Sequence, residues 1–457
     1  MIARAWRSFL TFVRSPDFSL VVMVGSISFI SSMVFSMVGA LAPMFAHDLH
    51  IPAQRIGMIM GVYMLSSATS GFLGTLYLDR FDRRKALGIG LIGVVAGLAL
   101  TALAPNLPLL IAARIVSGIF AGPSNAVSIA IVVDNIPAER RGAALGTVAA
   151  FGAVAQIIGI PVGLGIAQAF GSWRDPFFAA AVFAAVLAVL VVVNLPAQRG
   201  HLVGGASFSI RSRLALMGRF FTRSDSLIAF VLQITGIVPL VAITTIMSVY
   251  LVNNLGYPQG GLIMLYIVGG FANFGVARLM GKGIDRFGAG SMSVVASIML
   301  SLAIGISYLG FGWGTVLALE DAIRAMLPSG SGAWATIHGF LYPELLPVML
   351  VFALFFITSA GRLVVGQTIT MRIPKPEERA GFQSLSSAIQ SFTMAMSALA
   401  IPKLLGSTPD GRLTGTDAFS WGVILVAWIF PPLVYLLDTL LTRRDRAALP
   451  AIAVPAE

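Results

Sequence analysis

Cysteine is absent from the 457 residues. That excludes disulfides, thiolate nucleophiles and cysteine metal sites, and it removes any redox clue to compartment. Histidine is scarce, at His47, His50, His201 and His338. All four fall in expected loops or helix ends. His47 and His50 are three apart with no third ligand in view, so no metal site is expected. Charge is short as well: Asp, Glu, Lys and Arg make up 11% of the chain, against about 25% in a soluble domain. Nor does any carboxylate fall mid-run in the apolar stretches. Asp134, Asp225, Glu344 and Asp438 lie at helix ends, and Asp48 lies near the outer end of the first run. Catalysis would call for clustered acids, histidines or a nucleophile beside its base. None is present, so neither an enzyme nor a cofactor is expected.

What the chain does hold is apolar bulk. Hydrophobic residues make up 57% of it, and there are 48 glycines. A soluble fold could not hide that much apolar surface, whereas a bilayer accepts it on the outside. Small residues also let membrane helices approach closely. A spanning helix needs about 20 apolar residues, and twelve such runs can be read: 19–46, 56–79, 86–105, 107–134, 142–168, 175–196, 226–253, 259–284, 289–312, 345–371, 380–405 and 418–440. Backbone polar groups inside lipid must be satisfied internally, so the runs should be helices.

The net charge of +11 fits either nucleic-acid binding or cytoplasmic orientation charge. Its distribution favours the second. With both ends placed inside, 22 of the 30 Lys and Arg residues fall on the inner side and five on the outer. Arg114, Arg278 and Arg362 remain within spans. The expectation is a multi-pass protein of a bacterial-type inner membrane, with both termini cytoplasmic and no nucleic-acid partner. Residues 1–18 do not read as a secretory signal, because Arg4, Arg7 and Arg14 interrupt the apolar residues. Trp6, Phe9, Leu10 and Val13 suggest a surface segment there.

The division expected is a cytoplasmic segment 1–18, a six-helix bundle 19–196, a basic linker 197–225, a second bundle 226–440 and a tail 441–457. The linker reads either as a solvated tether or as one with a surface helix around Ile210–Phe221. The two bundles echo each other. Asp79-Arg80-Phe81 returns as Asp285-Arg286-Phe287, an offset of 206, and Pro137-Ala-Glu-Arg140 returns as Pro376-Glu-Glu-Arg379, an offset of 239. One insertion of about 33 residues in the outer loop near 313–344 reconciles the two. That loop reads as a lid, a partner surface or a passive decoration.

Four motifs resemble the major facilitator superfamily. Gly74-Thr-Leu-Tyr-Leu-Asp79-Arg80-Phe81-Asp82-Arg83-Arg84-Lys85 is similar to the family's signature between spans 2 and 3, with Thr75 and Asp82 in place of glycines. Gly281-Lys-Gly-Ile-Asp285-Arg286-Phe287-Gly288 is its echo. Arg114-Ile-Val-Ser-Gly118 resembles the span-4 arginine motif. Gln156-Ile-Ile-Gly159-Ile-Pro161-Val-Gly163 resembles the span-5 motif of the antiporter branches, with Ile160 parting a usually adjacent glycine and proline. Asp134-Asn-Ile-Pro-Ala-Glu-Arg140 resembles the second interface loop.

The resemblance implies an all-α membrane fold of twelve helices in two pseudo-symmetric bundles, with a solute site near mid-membrane between them. Candidate cavity residues are Tyr63, Arg114, Gln156, Gln233, Asn273, Arg362 and Gln390. A conformational latch is expected from Gly74, Asp79, Arg80, Arg83, Arg84, Asp134, Arg140, Asp285, Arg286 and Arg379. Here an aspartate at a helix end can pair with arginine, and with a helix N-terminus, across the two halves. Gly159, Pro161 and Gly163 should make span 5 kinked and closely packed. Arg362 finds no counterpart through the repeat, since an offset of 239 lands on Pro123. The function expected is secondary transport of a small solute by a monomer, as an exporter resembling the drug and sugar efflux branch. Proton antiport is one option. A facilitative carrier or importer of an organic anion, and a non-transporting scaffold or sensor, are the alternatives.

Overall fold

A computed structural model describes residues 17–51, 55–197, 218–326, 342–374 and 379–447. The first half holds α1 (Asp17–Ala40), the short α2 (Ala42–Asp48), α3 (Ile56–Tyr77), α4 (Arg83–Leu103) and α5 (Leu107–Asn135). It continues with α6 (Ala138–Val154), α7 (Ile160–Phe170) and α8 (Asp175–Asn194). The second half holds α9 (Ser224–Val249), α10 (Gly261–Leu309), α11 (Trp313–Met326), α12 (Leu346–Thr370), α13 (Arg379–Ala400) and α14 (Thr416–Ala447). Between α13 and α14 lies a small antiparallel hairpin, β1 (Gly406–Ser407) with β2 (Leu413–Thr414).

Among the described residues, ten helices are long and apolar enough to cross a membrane. The first arm of α10, apolar over Gly261–Asn273, and the amphipathic α13 complete twelve crossings in two six-helix bundles. We call the face with the described ends, Asp17 and Ala447, proximal. The opposite face is distal.

Local chemistry sets most boundaries. Asp82 caps α4 by accepting from the Arg84 N–H at 3.0 Å, and Asn106 caps α5 through the Leu109 N–H at 3.1 Å. The first apolar run, expected as one span over 19–46, divides at Leu41, because Pro43 stands in the first turn of α2 and cannot continue the ladder. In span 5, Pro161 has no N–H to offer the Ile157 carbonyl. The helix widens into a π-helical turn over Ala155–Gly159 immediately before it. Gly288 breaks α10 at φ 81° and ψ 156°, a conformation that L side chains avoid, and so turns one helix into two crossings.

Some expectations are corrected. The stretch 313–326 is a helix rather than loop, and Glu320 on it is 6% exposed. The rest of that insertion, 327–341, lies outside the described residues. So does most of the linker, 198–217, and with it the greater part of the expected surface helix. The linker's end is no free tether, because Phe220 is buried with its ring 5.4 Å from Phe382. The last helix runs on to Ala447, past the expected limit of 440.

The apolar core is shared unevenly. One large cluster contains residues of both halves, among them Met37, Ile59, Ile160, Ile243, Leu265 and Ala398. At the proximal ends each half has its own separate cluster. Val21, Val132 and Val148 belong to the first, and Phe230, Phe382 and Leu437 to the second.

Candidate functional site

The seam between the halves is built where α3 packs on α13, and where the π-helical turn and α7 pack on the first arm of α10. Glycine allows the first contact. A Cβ on Gly57 would stand 2.2 Å from the Ala398 carbonyl oxygen, and one on Gly61 would stand 2.4 Å from Leu399. In the second contact, Gly270 lies against the backbone of Ile157, where a Cβ would approach to 2.8 Å. The Gln168 amide donates to the Gln259 carbonyl at 3.1 Å, from one half to the other. These contacts lie in the distal part of the helices. Distally, too, Pro43, His47, His50, Asn253, Gln259 and Asp410 line a depression of about 830 Å³.

The candidate cavity residues separate into three groups. Arg114 on α5 is fully buried. Its Nη2 donates to the Val34 carbonyl at 3.4 Å, and its guanidinium lies 4.3 Å from the centre of the Tyr63 ring and 5.9 Å from that of Phe177. Gln156, in the π-helical turn, donates to Ser36 at 2.8 Å. Arg362 on α12 is also fully buried. It donates through Nη2 to the Thr235 carbonyl at 3.1 Å and lies 4.6 Å from the centre of the Phe430 ring. Beside it the Gln233 amide donates to Ser386 at 3.2 Å, and the Gln390 amide donates to Gln233 Oε1 at 3.1 Å. Arg362, Gln233 and Gln390 share one narrow cleft with Gly236, Gly366 and Gln367. Asn273 is partly exposed on the first arm of α10.

The arginines are counterparts in a sense the offset arithmetic hides. Each sits on the fourth crossing of its half, bonds a carbonyl of the first crossing and faces a phenylalanine of the sixth. Arg362 lies roughly nine residues further along its helix, which is ~13 Å at 1.5 Å per residue.

The latch residues occupy the proximal face. Gly74 lies against Leu78 and Pro123. Asp79 lies in the turn Leu78–Arg80, and Arg80 is exposed. Arg83 pairs with Asp134 at 2.6 Å, within the first half. Arg84 donates to the Val192 carbonyl. Asp285, Arg286 and Arg140 are exposed, and Arg286 stacks on Phe287 at 5.2 Å. The side chains of Asp79 and Arg379 lie outside the described residues.

Sequence reading missed a second proximal cluster. Asp225 accepts from Arg223 at 2.9 Å and has Arg444 at 3.8 Å, and Arg372 pairs with Asp438 at 2.9 Å. Arg444 also donates to the carbonyls of Arg372 and Ile373, at 2.7 and 3.0 Å. The signal available was the pair of helix-end carboxylates, Asp225 and Asp438, facing a basic tail. Ser386 and the Ser31–Asn125 pair, at 3.1 Å, were also missed. Asn125 stands two residues after Pro123 in an apolar helix, which could have marked it.

A family profile described as Major Facilitator Superfamily matches residues 24–343. A triacylglyceride transporter of Mycolicibacterium hassiacum is 29% identical over 179 residues, covering 38% of this chain and 34% of that protein. The chain thus spans about a third of the length of the triacylglyceride transporters it matches. The multi-drug resistance efflux pump PmrA of Streptococcus pneumoniae is 26% identical over 336 residues, covering 66% of this chain and 78% of the pump. Among solved structures, a D-xylose-proton symporter superposes with a TM-score of 0.66 at 14% identity, over 91% of this chain and 97% of that one. That likeness is one of fold alone.

Proposed function

Because the chain belongs to the Major Facilitator Superfamily, we propose that it is a secondary active carrier that exports a small organic solute by alternating access. One observation carries the reading. The second half joins the shared core through the distal portions of its helices and keeps a core of its own at its proximal end. A seam of that kind can rock, because each bundle is internally packed and only the distal contacts must part. The basic proximal face is read as cytoplasmic under the positive-inside rule, which makes this conformation inward-open. Pro161 and the π-helical turn supply a hinge in span 5 beside the seam.

The matches to an efflux pump and to triacylglyceride transporters support export and an apolar or amphipathic solute. The latch reading puts Asp79, Arg80 and Asp285 to work in the opposite state, in which the proximal ends meet. Here the pairs Arg83–Asp134 and Arg372–Asp438 each stay within one half, as a released latch would leave them. A second reading, a carrier of organic anions, draws on the two buried arginines.

The test is flux in proteoliposomes holding the purified full chain, with and without an imposed proton gradient. Accumulation of a fluorescent amphiphile that collapses with the gradient supports coupled export. No flux of any tested solute under either condition removes the carrier reading in favour of a scaffold or sensor.

A further inference from the structure

Helices α1 and α8 meet at an aromatic pair and leave a space on its proximal side. The Phe29 and Phe183 rings join them edge-on, with centroids 6.1 Å apart. Between that pair and the proximal face lies a groove of about 800 Å³. Ser19, Val22 and Met23 line it from α1, and Leu187, Leu190 and Asn194 line it from α8. None of the described lining residues is charged, and none belongs to the candidate cavity or the latch. The groove faces out of the bundle. On α1, Val21 and Val24 pack into the first half's proximal core, and the helical period puts Ser19 and Val22 on the opposite side. On α8, Leu190 is 45% exposed and borders the outward stripe of Val182, Val186, Val189 and Val193.

Depth and polarity match a lipid chain. Ser19 to Phe29 is ten residues, and Asn194 back to Phe183 is eleven. Each is about 15 Å of helix at 1.5 Å per residue. That is the depth of one leaflet, half of a hydrocarbon core of about 30 Å. Ser19 and Asn194 stand at the mouth, with Asn135 from the proximal end of α5. The walls deeper in are apolar, and the deeper hydroxyl, Ser26, turns back to the Val22 carbonyl of its own helix at 2.9 Å. Water finds few partners on such walls, and a void of this size is foreign to a packed protein.

We propose that the groove binds one acyl chain of a phospholipid of the proximal leaflet. The chain lies between the helices and ends at the Phe29–Phe183 pair. Its ester carbonyls lie at the mouth, where the Asn194 amide donates to them. The chain gives α1 an apolar neighbour on the side that the bundle core leaves open. The same helix carries the Val34 carbonyl that accepts from Arg114, so the bound chain steadies a wall of the candidate cavity. The proposal does not depend on the carrier reading.

Photolabelling of the full chain tests it, in nanodiscs of phosphatidylcholine that carries a diazirine midway along one chain. Adducts are mapped by peptide mass spectrometry. Leu187 is the reporter, because it is 4% exposed and lines the groove. Adducts are expected at Leu187 and Met23 as well as on the outward stripe. Met23→Trp and Leu190→Trp fill the groove from opposite walls. Each should cut labelling at Leu187 about tenfold or more, since keeping even two methylenes from apolar burial is worth that factor. Val189→Trp, on the outward stripe, should leave it unchanged. Adducts confined to the outward stripe of the unmodified chain overturn the proposal, and leave the groove to water or to residues 1–16, which precede α1. Labelling of Leu187 that survives both filling substitutions overturns it as well.

Discussion

At the distal face the two halves touch through glycines: Gly57 and Gly61 bring α3 onto α13, and Gly270 brings α10 onto span 5. At the proximal face each half turns to its own ion pairs, Arg83 with Asp134 in the first and Arg372 with Asp438 in the second. The difference has a physical basis. Close apolar packing is short-ranged and depends on shape, so it is lost once helices part by an ångström or two. Charged groups at a wet membrane surface keep partners or solvent in either arrangement. Distal shape and proximal charge therefore give a seam whose closed end is decided by packing, and whose open end loses little by staying apart.

Four substitutions break or sharpen that contrast. Gly57→Leu should do most, because its side chain would overlap the Ala398 carbonyl and Pro402. Overpacking of this kind costs about 1–3 kcal/mol, or roughly 5–150-fold in the population of the distally closed state. Site-directed labelling across the seam reads this as a loss of that state.

Next comes Tyr257→Phe. The Tyr257 hydroxyl donates to the buried Glu320 at 2.6 Å, tying α11 to the distal loop. Removing the donor takes one short hydrogen bond from a buried carboxylate, at about 1–3 kcal/mol, seen as faster hydrogen exchange in α11. Burial and the Glu320 carboxylate hold the tyrosine above its usual range. A raised value means that the stabilisation is complete below the ordinary tyrosine pKa and is lost only as pH rises through the folded one. The protection of α11 in the unmodified protein, taken relative to the intrinsic exchange rate at each pH, should thus stay constant between about pH 6 and 9.

Arg83→Gln should matter less. Its pair is partly solvated, with 11% and 35% of the side chains exposed, and exposed pairs contribute about 0.2–1 kcal/mol. The smallest effect belongs to Asp438→Asn, where 41% and 44% exposure predicts a midpoint shift within measurement error in moderate salt. A large loss from either proximal variant, with none from Gly57→Leu, would reverse the contrast.

Much of this architecture was legible in the chain. Apolar run length gave the crossings, because lipid leaves the backbone no partner but its own helix. The split of basic residues grouped the connections by face. Pro161 marked the irregular turn in span 5, since a missing donor acts locally. The sequence was less open where a feature depends on groups distant along the chain. Nothing local announces that Asn254 will bond Leu413, at 2.8 Å, and so seat the hairpin of β1 and β2. Nor does it announce that the Glu320 helix will find Tyr257. Offset matching failed for Arg362 because counterpart positions in the two halves need not lie at the same depth. The expected cavity residues were partly gathered: Gln233, Arg362 and Gln390 share a cleft, while Arg114 with Tyr63, and Gln156 with Ser36, lie in the other half.

The rocking seam is tested most directly by two distances in one preparation. The chain lacks native cysteine, so spin labels can be placed cleanly. One pair goes at Phe81 and Phe287, exposed and repeat-related on the proximal face, and the other at Gln168 and Gln259 across the distal contact. Pulsed electron-spin measurements in nanodiscs should find two populations, with a short distal distance accompanying a long proximal one and the reverse. Distances that stay single-valued under every solute and pH tried, or that lengthen and shorten together, would contradict it.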